Sequence, residues 1–197
     1  MRVMSITTQF LFLFLFTFSA QVAQAHPHIW AYTDVEILTD SNQITGLKVL
    51  WKFDELYSVA FLQDADLNKN MKLEKSETEY AIQTVFKENP ESLFPFIYLR
   101  FNGKTHTFKF QNPTIWMAED ETLHYQFSII LDQPAPINGT HDIGFFDPEF
   151  YISFEQSYDL TLPQHAICKY ELEENKNISI YGGLVNPETY KINCAGA

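Results

Sequence analysis

Apolar and polar side chains alternate along much of the chain with a period of two, which is the pattern of a β-strand with one buried face. Odd-numbered positions are mainly apolar in the segment 29–37, and the segment 47–53 repeats this pattern. Turn-forming residues at 39–43 separate the two segments, so we predict a hairpin. Further strands are predicted at Phe96–Phe101, Thr105–Phe110, Thr122–Leu131, His141–Phe146, Phe150–Phe154 and Ile167–Leu172. Short strands at this spacing predict a mainly β fold, an antiparallel β-sandwich.

The apolar spacing becomes helical between about residues 54 and 89. Leu56 and Ala60 are four positions apart, as are Ala81 and Val85, so each pair lies on one face of a helix. The sequence therefore predicts a helix–loop–helix insertion in the β-domain, which makes the fold α+β overall.

The loop between these helices, Asp66–Glu77, has the ligand spacing of an EF-hand calcium loop. The predicted calcium ligands are Asp66, Asn68, Asn70, the backbone carbonyl of Lys72, Glu74 through a water molecule, and the bidentate carboxylate of Glu77. Position six is Met71, where positive φ favours Gly, and a side chain there costs about 1 kcal/mol or more. With three carboxylates, we expect a weak calcium site, with Kd of about 10⁻⁴–10⁻³ M. An acidic loop without an ion is the alternative.

The first residues are predicted to form a cleaved signal peptide rather than part of the fold. Arg2 precedes the apolar run Phe10–Phe18, and Ala23-Gln24-Ala25 has the small-residue pattern of a cleavage site. The run is shorter than the roughly 20 apolar residues of a membrane-spanning helix. We expect removal of residues 1–25, which leaves 26–197 as a single exported domain with no membrane insertion after processing.

The charge balance bears on the partners of the protein. The chain has 13 Lys and Arg residues against 25 Asp and Glu residues, a net charge of -12. A nucleic-acid-binding protein needs clustered cations to neutralise phosphates, so this composition argues against nucleic acid. It also disfavours anionic membrane surfaces and favours cations as ligands.

The two cysteines, Cys168 and Cys194, lie close together in the sequence. In an oxidising compartment, two cysteines most simply form one disulfide bond. A pair of thiolates that binds a metal ion is the alternative.

The mature amino terminus offers a second candidate metal site. Cleavage after Ala25 would make His26 the first residue, followed by Pro27 and His28. The terminal amine and two imidazoles are nitrogen ligands that suit zinc, nickel, cobalt and copper. Pro27 has no backbone N–H, which blocks the square-planar mode in which deprotonated amides bind copper or nickel.

Such a site needs one or two further ligands from the fold. Asp147, in the turn Asp147–Tyr151, and the pair Asp54-Glu55 are candidate carboxylate donors, although either may simply cap a turn or a helix. The remaining histidines show no ligand spacing and are expected to be ordinary polar residues: His106, His124, His141 and His165.

Four segments, in this order along the chain, resemble those of a known family. They are His26–Trp30, Trp51–Ser58, the loop Asp66–Glu77 and Phe146–Tyr151. Together they are similar to the exported domain-of-unknown-function family labelled "ABC-type uncharacterised transport system, periplasmic component". The resemblance implies a periplasmic protein that serves an inner-membrane permease of the nickel/cobalt type and handles zinc, nickel or cobalt. Met71 departs from the family pattern, which commonly has Gly.

We therefore expect a periplasmic metal-binding accessory protein that uses Zn²⁺, Ni²⁺ or Co²⁺ at His26 and His28, completed by Asp147 or another histidine. We do not expect an enzyme, since no Ser/His/Asp or Cys/His hydrolase motif is visible. Two alternatives stay open: a calcium-stabilised interaction module without a transition metal, and a copper-dependent oxidative enzyme with a terminal histidine ligand.

Overall fold

The computed structural model describes residues 28–157 and 159–195, which form mainly β-strands. The strands are β1 (Ile29–Asp40), β2 (Gln43–Phe53), β3 (Ile97–Phe101), β4 (Lys104–Thr105), β5 (Phe108–Met117), β6 (Leu123–Pro136), β7 (Gly139–Phe145), β8 (Ile152–Gln156), β9 (Ile167–Glu174) and β10 (Glu188–Ala195). The helices are α1 (Glu55–Ala65) and α2 (Lys75–Ile82), and α2 continues into a π-helical turn at Gln83–Glu88. Short 3₁₀ turns lie at Pro90–Ser92, Phe94–Phe96 and Tyr181–Gly183. The predicted signal peptide and His26 lie outside the described residues.

The strands form two five-stranded sheets. The first sheet has the order β5-β6-β2-β1-β8, and the second has the order β4-β3-β7-β10-β9. Neighbouring strands are antiparallel except for β1 and β8, which are parallel. The prediction of a mainly β, sandwich-like fold is confirmed, and the parallel pair is the departure from an all-antiparallel arrangement. A parallel pair needs a long crossover, and here strands β2 to β7 and both helices lie between the two strands in sequence.

One hydrophobic core joins the two sheets, and Trp51 lies within it. The alternation predicted for β2 holds, because Leu47, Val49, Trp51 and Phe53 are all buried. The Trp51 ring lies 4.9 Å from that of Phe127 in the first sheet and 6.1 Å from that of Phe145 in the second, both edge-on. Edge-to-face aromatic pairs of this kind add packing energy beyond the burial of apolar area.

Several predicted strand boundaries differ from those observed. The hairpin of β1 and β2 is confirmed, with Val35 opposite Val49. The strand predicted to end at Phe110 continues to Met117 through a bulge, where Asn112 has a φ of 51°. Strand β10 is absent from the predicted set although its buried residues alternate along it. The strand predicted from Phe150 begins at Ile152 instead, because the residues before it form a turn.

The helical insertion predicted at about 54–89 is present and packs on the first sheet. Tyr57 on α1 contacts Phe53, with the ring centroids 4.9 Å apart, and the buried Ser58 hydroxyl accepts a hydrogen bond of 2.8 Å from the Leu123 backbone N–H. Phe86, just after α2, lies 5.3 Å from Phe127. Both helices therefore pack against the first sheet, and this packing fixes the distance that the loop between them spans.

Cys168 and Cys194 form the predicted disulfide bond. They face each other directly on β9 and β10, so the bond fastens the edge strand β9 to the second sheet. A disulfide is consistent with an exported protein. Within residues 28–157 and 159–195, no helix has the length and hydrophobicity needed to cross a bilayer.

Candidate functional site

Three of the sequence motifs meet at one end of the first sheet. Strand β1 starts at Ile29, and its register places Ala31 opposite Phe53, the last residue of β2. The parallel register of β1 and β8 places Ile29 opposite Ile152, the first residue of β8. The start of β1, the start of α1 and the turn before β8 therefore lie together. We call the contacting residues His28, Trp30, Asp54, Asp147 and Tyr151 the amino-terminal junction.

Asp54 links the first strand to helix α1. Its Oδ2 accepts a hydrogen bond of 2.7 Å from the Trp30 backbone N–H, and its Oδ1 accepts one of 3.0 Å from the Tyr57 backbone N–H. The second contact is an N-cap, which satisfies one of the free N–H groups at the start of α1. The Asp54 backbone N–H donates in turn to the Trp30 carbonyl at 2.9 Å. Asp54 thus acts as a cap, one of the two roles considered for it from the sequence.

His28 is anchored by its backbone to the turn before β8. The backbone N–H groups of His28 and Ile29 both donate to the Tyr151 carbonyl, at 3.0 and 3.2 Å. The His28 imidazole lies beside the Tyr151 ring, with centroids 4.8 Å apart. The fold therefore holds the backbone of His28 at a defined position beside the turn.

Asp147 organises the turn to which His28 is anchored. Its carboxylate is 5% exposed and accepts three backbone hydrogen bonds, from Glu149 to Oδ1 and from Tyr151 and Ile152 to Oδ2, all between 2.9 and 3.0 Å. A metal ion would have to enter this buried turn to reach the carboxylate. Asp147 is a positioning residue in this structure, and we leave it out of the ligand set proposed below.

The loop Asp66–Glu77 contains two buried carboxylates. Asp66 is 6% exposed and Glu77 is 2% exposed. Glu77 accepts backbone hydrogen bonds from Leu67 and Glu74, each at 2.9 Å, and Asp66 accepts them from residues 70 and 71. Neither carboxylate forms an ion pair with any described residue. Two negative charges are thus buried in one short loop with hydrogen bonds but no countercharge, which is costly.

The other predicted calcium ligands belong to the same hydrogen-bonded cluster. The side-chain amides of Asn68 and Asn70 each donate to the Glu74 carboxylate at 2.9 Å. The Lys72 backbone N–H donates to the Asn70 side-chain oxygen, also at 2.9 Å. Met71 has a φ of 60°, the left-handed conformation for which an EF-hand favours Gly at this position. The side-chain oxygens of Asp66, Asn68, Asn70 and Glu77 thus accept hydrogen bonds from backbone N–H groups of the same loop.

The other four histidines each have separate surroundings. His141 is buried, its Nε2 lies 2.8 Å from the Ile137 carbonyl, and burial lowers its pKa. Partial burial also lowers the pKa of His124, which lies near Thr122. His106 and His165 contact backbone carbonyls of residues 133 and 41. In the described part of the chain, no three His, Cys, Asp or Glu side chains are grouped to hold a metal ion. These side chains include Asp66, Glu74 and Glu77, so the predicted calcium loop also depends on amide and backbone oxygens.

Sequence reasoning missed how the junction is built. Asp147 was considered as a metal ligand or as a cap of its turn, and the structure shows its carboxylate accepting hydrogen bonds from three backbone N–H groups. Sequence reasoning also gave no role to the Tyr151 carbonyl, which accepts hydrogen bonds from the backbone N–H groups of His28 and Ile29. An Asp at the first position of a turn is a known signal for such side-chain-to-backbone bonds. The hydrogen bond from the His28 N–H to the Tyr151 carbonyl joins two backbone groups, so no pattern of side chains in the sequence indicates it. It depends on the parallel register of β1 and β8.

Replacing Asp147 with Asn tests its positioning role. The amide keeps one acceptor oxygen but presents N–H groups to the other backbone donors, so we expect the free energy of unfolding to fall by about 1.5–3 kcal/mol. Urea denaturation of the mature protein, followed by circular dichroism, measures this loss. Glu149→Gln alters an exposed carboxylate in the same turn and should change stability by less than about 0.5 kcal/mol. Equal stability of the two variants would contradict the role given to Asp147.

The chain was compared with protein families and with curated proteins. Residues 11–182 match the model of the family described as "Protein of unknown function (DUF1007)". The comparison with curated proteins found no match. The match includes part of the predicted signal peptide, the junction, the helical insertion and nine of the ten strands in full. The chain therefore belongs to the family of proteins of unknown function DUF1007.

Proposed function

We propose that this protein is an exported metal-binding accessory protein that captures zinc, nickel or cobalt at its mature amino terminus. The observation that carries the proposal is the anchoring of His28, whose backbone N–H donates to the Tyr151 carbonyl while that of Trp30 donates to Asp54. A chain segment without a binding role would not need these hydrogen bonds. Anchoring of the His28 backbone limits the positions that its imidazole can take, which lowers the entropic cost of metal binding.

The proposed ligands are the terminal amine and imidazole of His26 and the imidazole of His28. Nitrogen ligands of this kind suit divalent zinc, nickel and cobalt. Both ligand types must be deprotonated to bind, so affinity should weaken below about pH 6. The inner-membrane permease as partner and the periplasm as location rest on the family resemblance. The acidic surface, with a net charge of -12, favours the approach of cations.

Calorimetric titration with zinc tests this proposal. The mature protein is prepared with His26 as the free terminus, and a second form carries one additional Ala before it. We expect stoichiometric binding by the first form and loss of that binding in the second, since the added residue moves the amine away from the imidazole. In the free-terminus form, His28→Ala should weaken binding by more than about tenfold, because losing even an orienting partner of a ligand costs that much.

The exposed His165 provides the matched control, and His165→Ala should leave zinc binding unchanged. Equal binding by the free and extended forms would move the site away from the amino terminus. If neither form binds zinc, the proposed transition-metal site is excluded, and the calcium-stabilised interaction module described below is favoured.

The second candidate function is that of a calcium-stabilised interaction module. The observation that favours it is the burial of Asp66 and Glu77 in one loop without a cationic partner among the described residues. A calcium ion there would supply the missing countercharge, with Asn68, Asn70 and the Lys72 carbonyl as further oxygen ligands. A single loop of this kind stabilises the insertion, and it is compatible with a separate transition-metal site.

Thermal and urea unfolding with and without calcium test the loop. For a Kd of 10⁻⁴–10⁻³ M, about 10 mM calcium should raise the free energy of unfolding by about 1.4–2.7 kcal/mol. Glu77→Gln should abolish most of this increase, whereas Glu79→Gln, an exposed position of α2, should retain it. Met71→Gly should raise the free energy of unfolding with or without calcium, because Gly adopts the positive φ without strain. An equal response of Glu77→Gln and the unaltered protein to calcium would rule out this site.

A further inference from the structure

Two Asn-Gly pairs occur in the sequence, at Asn102-Gly103 and at Asn138-Gly139. An asparagine followed by glycine is especially prone to deamidation, because glycine has no side chain to hinder attack by its backbone nitrogen. Both asparagines are exposed to solvent, so exposure alone does not distinguish them. The structure distinguishes them by what their side-chain amides contact.

The side chain of Asn102 is held by three hydrogen bonds. Its Oδ1 accepts one of 3.1 Å from the Thr140 backbone N–H, and its Nδ2 donates to the carbonyls of Asn138 at 3.1 Å and Pro136 at 3.4 Å. The Asn102 amide is thus directed at the connection between β6 and β7. It has to give up these bonds before its carbonyl carbon can turn toward the Gly103 nitrogen.

The side chain of Asn138 is not held in this way. It forms no hydrogen bond with residues 28–157 or 159–195, although the backbone carbonyl of Asn138 accepts the bond from Asn102. An exposed side chain without such bonds changes rotamer on a timescale of picoseconds to nanoseconds. Its carbonyl carbon can therefore approach the backbone nitrogen of the next residue without the loss of a hydrogen bond.

The fold requires glycine directly after Asn138. Gly139 has a φ of 117°, a conformation that residues with a side chain rarely adopt. A Cβ atom at this position would also overlap the side-chain oxygen of Asn102. The hydrogen-bonded amide of Asn102 thus excludes larger residues at 139, and the reactive Asn-Gly pair is retained as a consequence.

We propose that Asn138 is a site of spontaneous deamidation in the folded protein, whereas Asn102 is protected. The Gly139 backbone nitrogen attacks the side-chain carbonyl carbon of Asn138, and a cyclic imide forms as the amide nitrogen leaves as ammonia with the proton of the attacking nitrogen. Water then opens either carbonyl of the imide, which gives aspartate or isoaspartate. The net reaction consumes water and releases ammonia, so it needs no cofactor, and it is independent of the metal sites proposed above.

Isoaspartate at 138 alters the connection between the two sheets. Its backbone runs through the former side chain, which adds a methylene group to the link from β6 of the first sheet to β7 of the second. The Asn138 carbonyl that Asn102 binds becomes a free carboxylate, and the chain, with its net charge of -12, gains a further negative charge. Because the contact with Asn102 is disturbed, we expect the free energy of unfolding to fall.

Peptide mapping by mass spectrometry tests the proposal. The full mature protein is incubated at mildly alkaline pH, both folded and in urea, and conversion at residues 138 and 102 is followed over time. In the folded protein, residue 138 should convert about tenfold or more faster, because the hydrogen bonds of Asn102 raise its barrier and about 1.4 kcal/mol corresponds to tenfold in rate. In urea these bonds are absent, so the two sites should convert at similar rates.

Asn138→Ser provides the matched control. Serine has no amide to lose, and the exposed Asn138 side chain forms no bond that the variant would remove, so stability should change by less than about 0.5 kcal/mol. After incubation, the unaltered protein should have lost stability in urea denaturation as isoaspartate accumulates, and Asn138→Ser should not have.

Conversion at 102 as fast as at 138 in the folded protein would overturn the proposal. A folded protein in which neither site converts, during the time that the protein in urea converts completely, would overturn it as well. Isoaspartate at 138 with an unchanged free energy of unfolding would contradict the effect on the link between the sheets.

Discussion

The hydrogen bonds that hold the start of strand β1 determine where His28, the described residue of the proposed metal site, lies. Strand β1 begins between two segments that are far away in sequence, the start of α1 and the turn before β8. Asp54 binds the Trp30 backbone N–H and caps α1, and the Tyr151 carbonyl binds the backbone N–H of His28. Asp147 holds that turn in shape through three backbone N–H groups. Without these contacts, residues before β1 would have no fixed place relative to the sheet.

Buried carboxylates play two different parts in this fold. Three backbone N–H groups donate hydrogen bonds to the Asp147 carboxylate. These bonds stabilise its single charge and fix the shape of the turn. Asp66 and Glu77 bring two charges into one loop, and backbone N–H groups reduce the cost of burial without neutralising them. Asp147 places a single charge in its turn, whereas Asp66 and Glu77 place two charges in one loop, and we propose that a cation would stabilise this second arrangement. This difference is why the loop is a better calcium candidate than the junction.

The sequence predicts local features of this protein better than long-range ones. The alternation along β2, the helical insertion and the disulfide of Cys168 and Cys194 all follow from residue types and spacing, and the structure confirms them. The strain anticipated at Met71 agrees with its φ of 60°. The parallel pairing of β1 with β8 depends on contacts across more than a hundred residues, which no local pattern encodes. For Asp147 the sequence left two roles open, metal ligand or turn cap, because the three backbone N–H groups that its carboxylate binds are positioned only by the folded turn.

The central claim is that the anchored amino terminus binds a transition metal through its histidines. The most direct measurement is an anomalous difference map, collected at the zinc edge, from crystals of the mature protein grown with His26 as the free terminus. The account predicts a zinc peak about 2.0–2.1 Å from an imidazole nitrogen of His28. A zinc peak remote from the amino terminus, or no peak in crystals soaked with zinc, would contradict it.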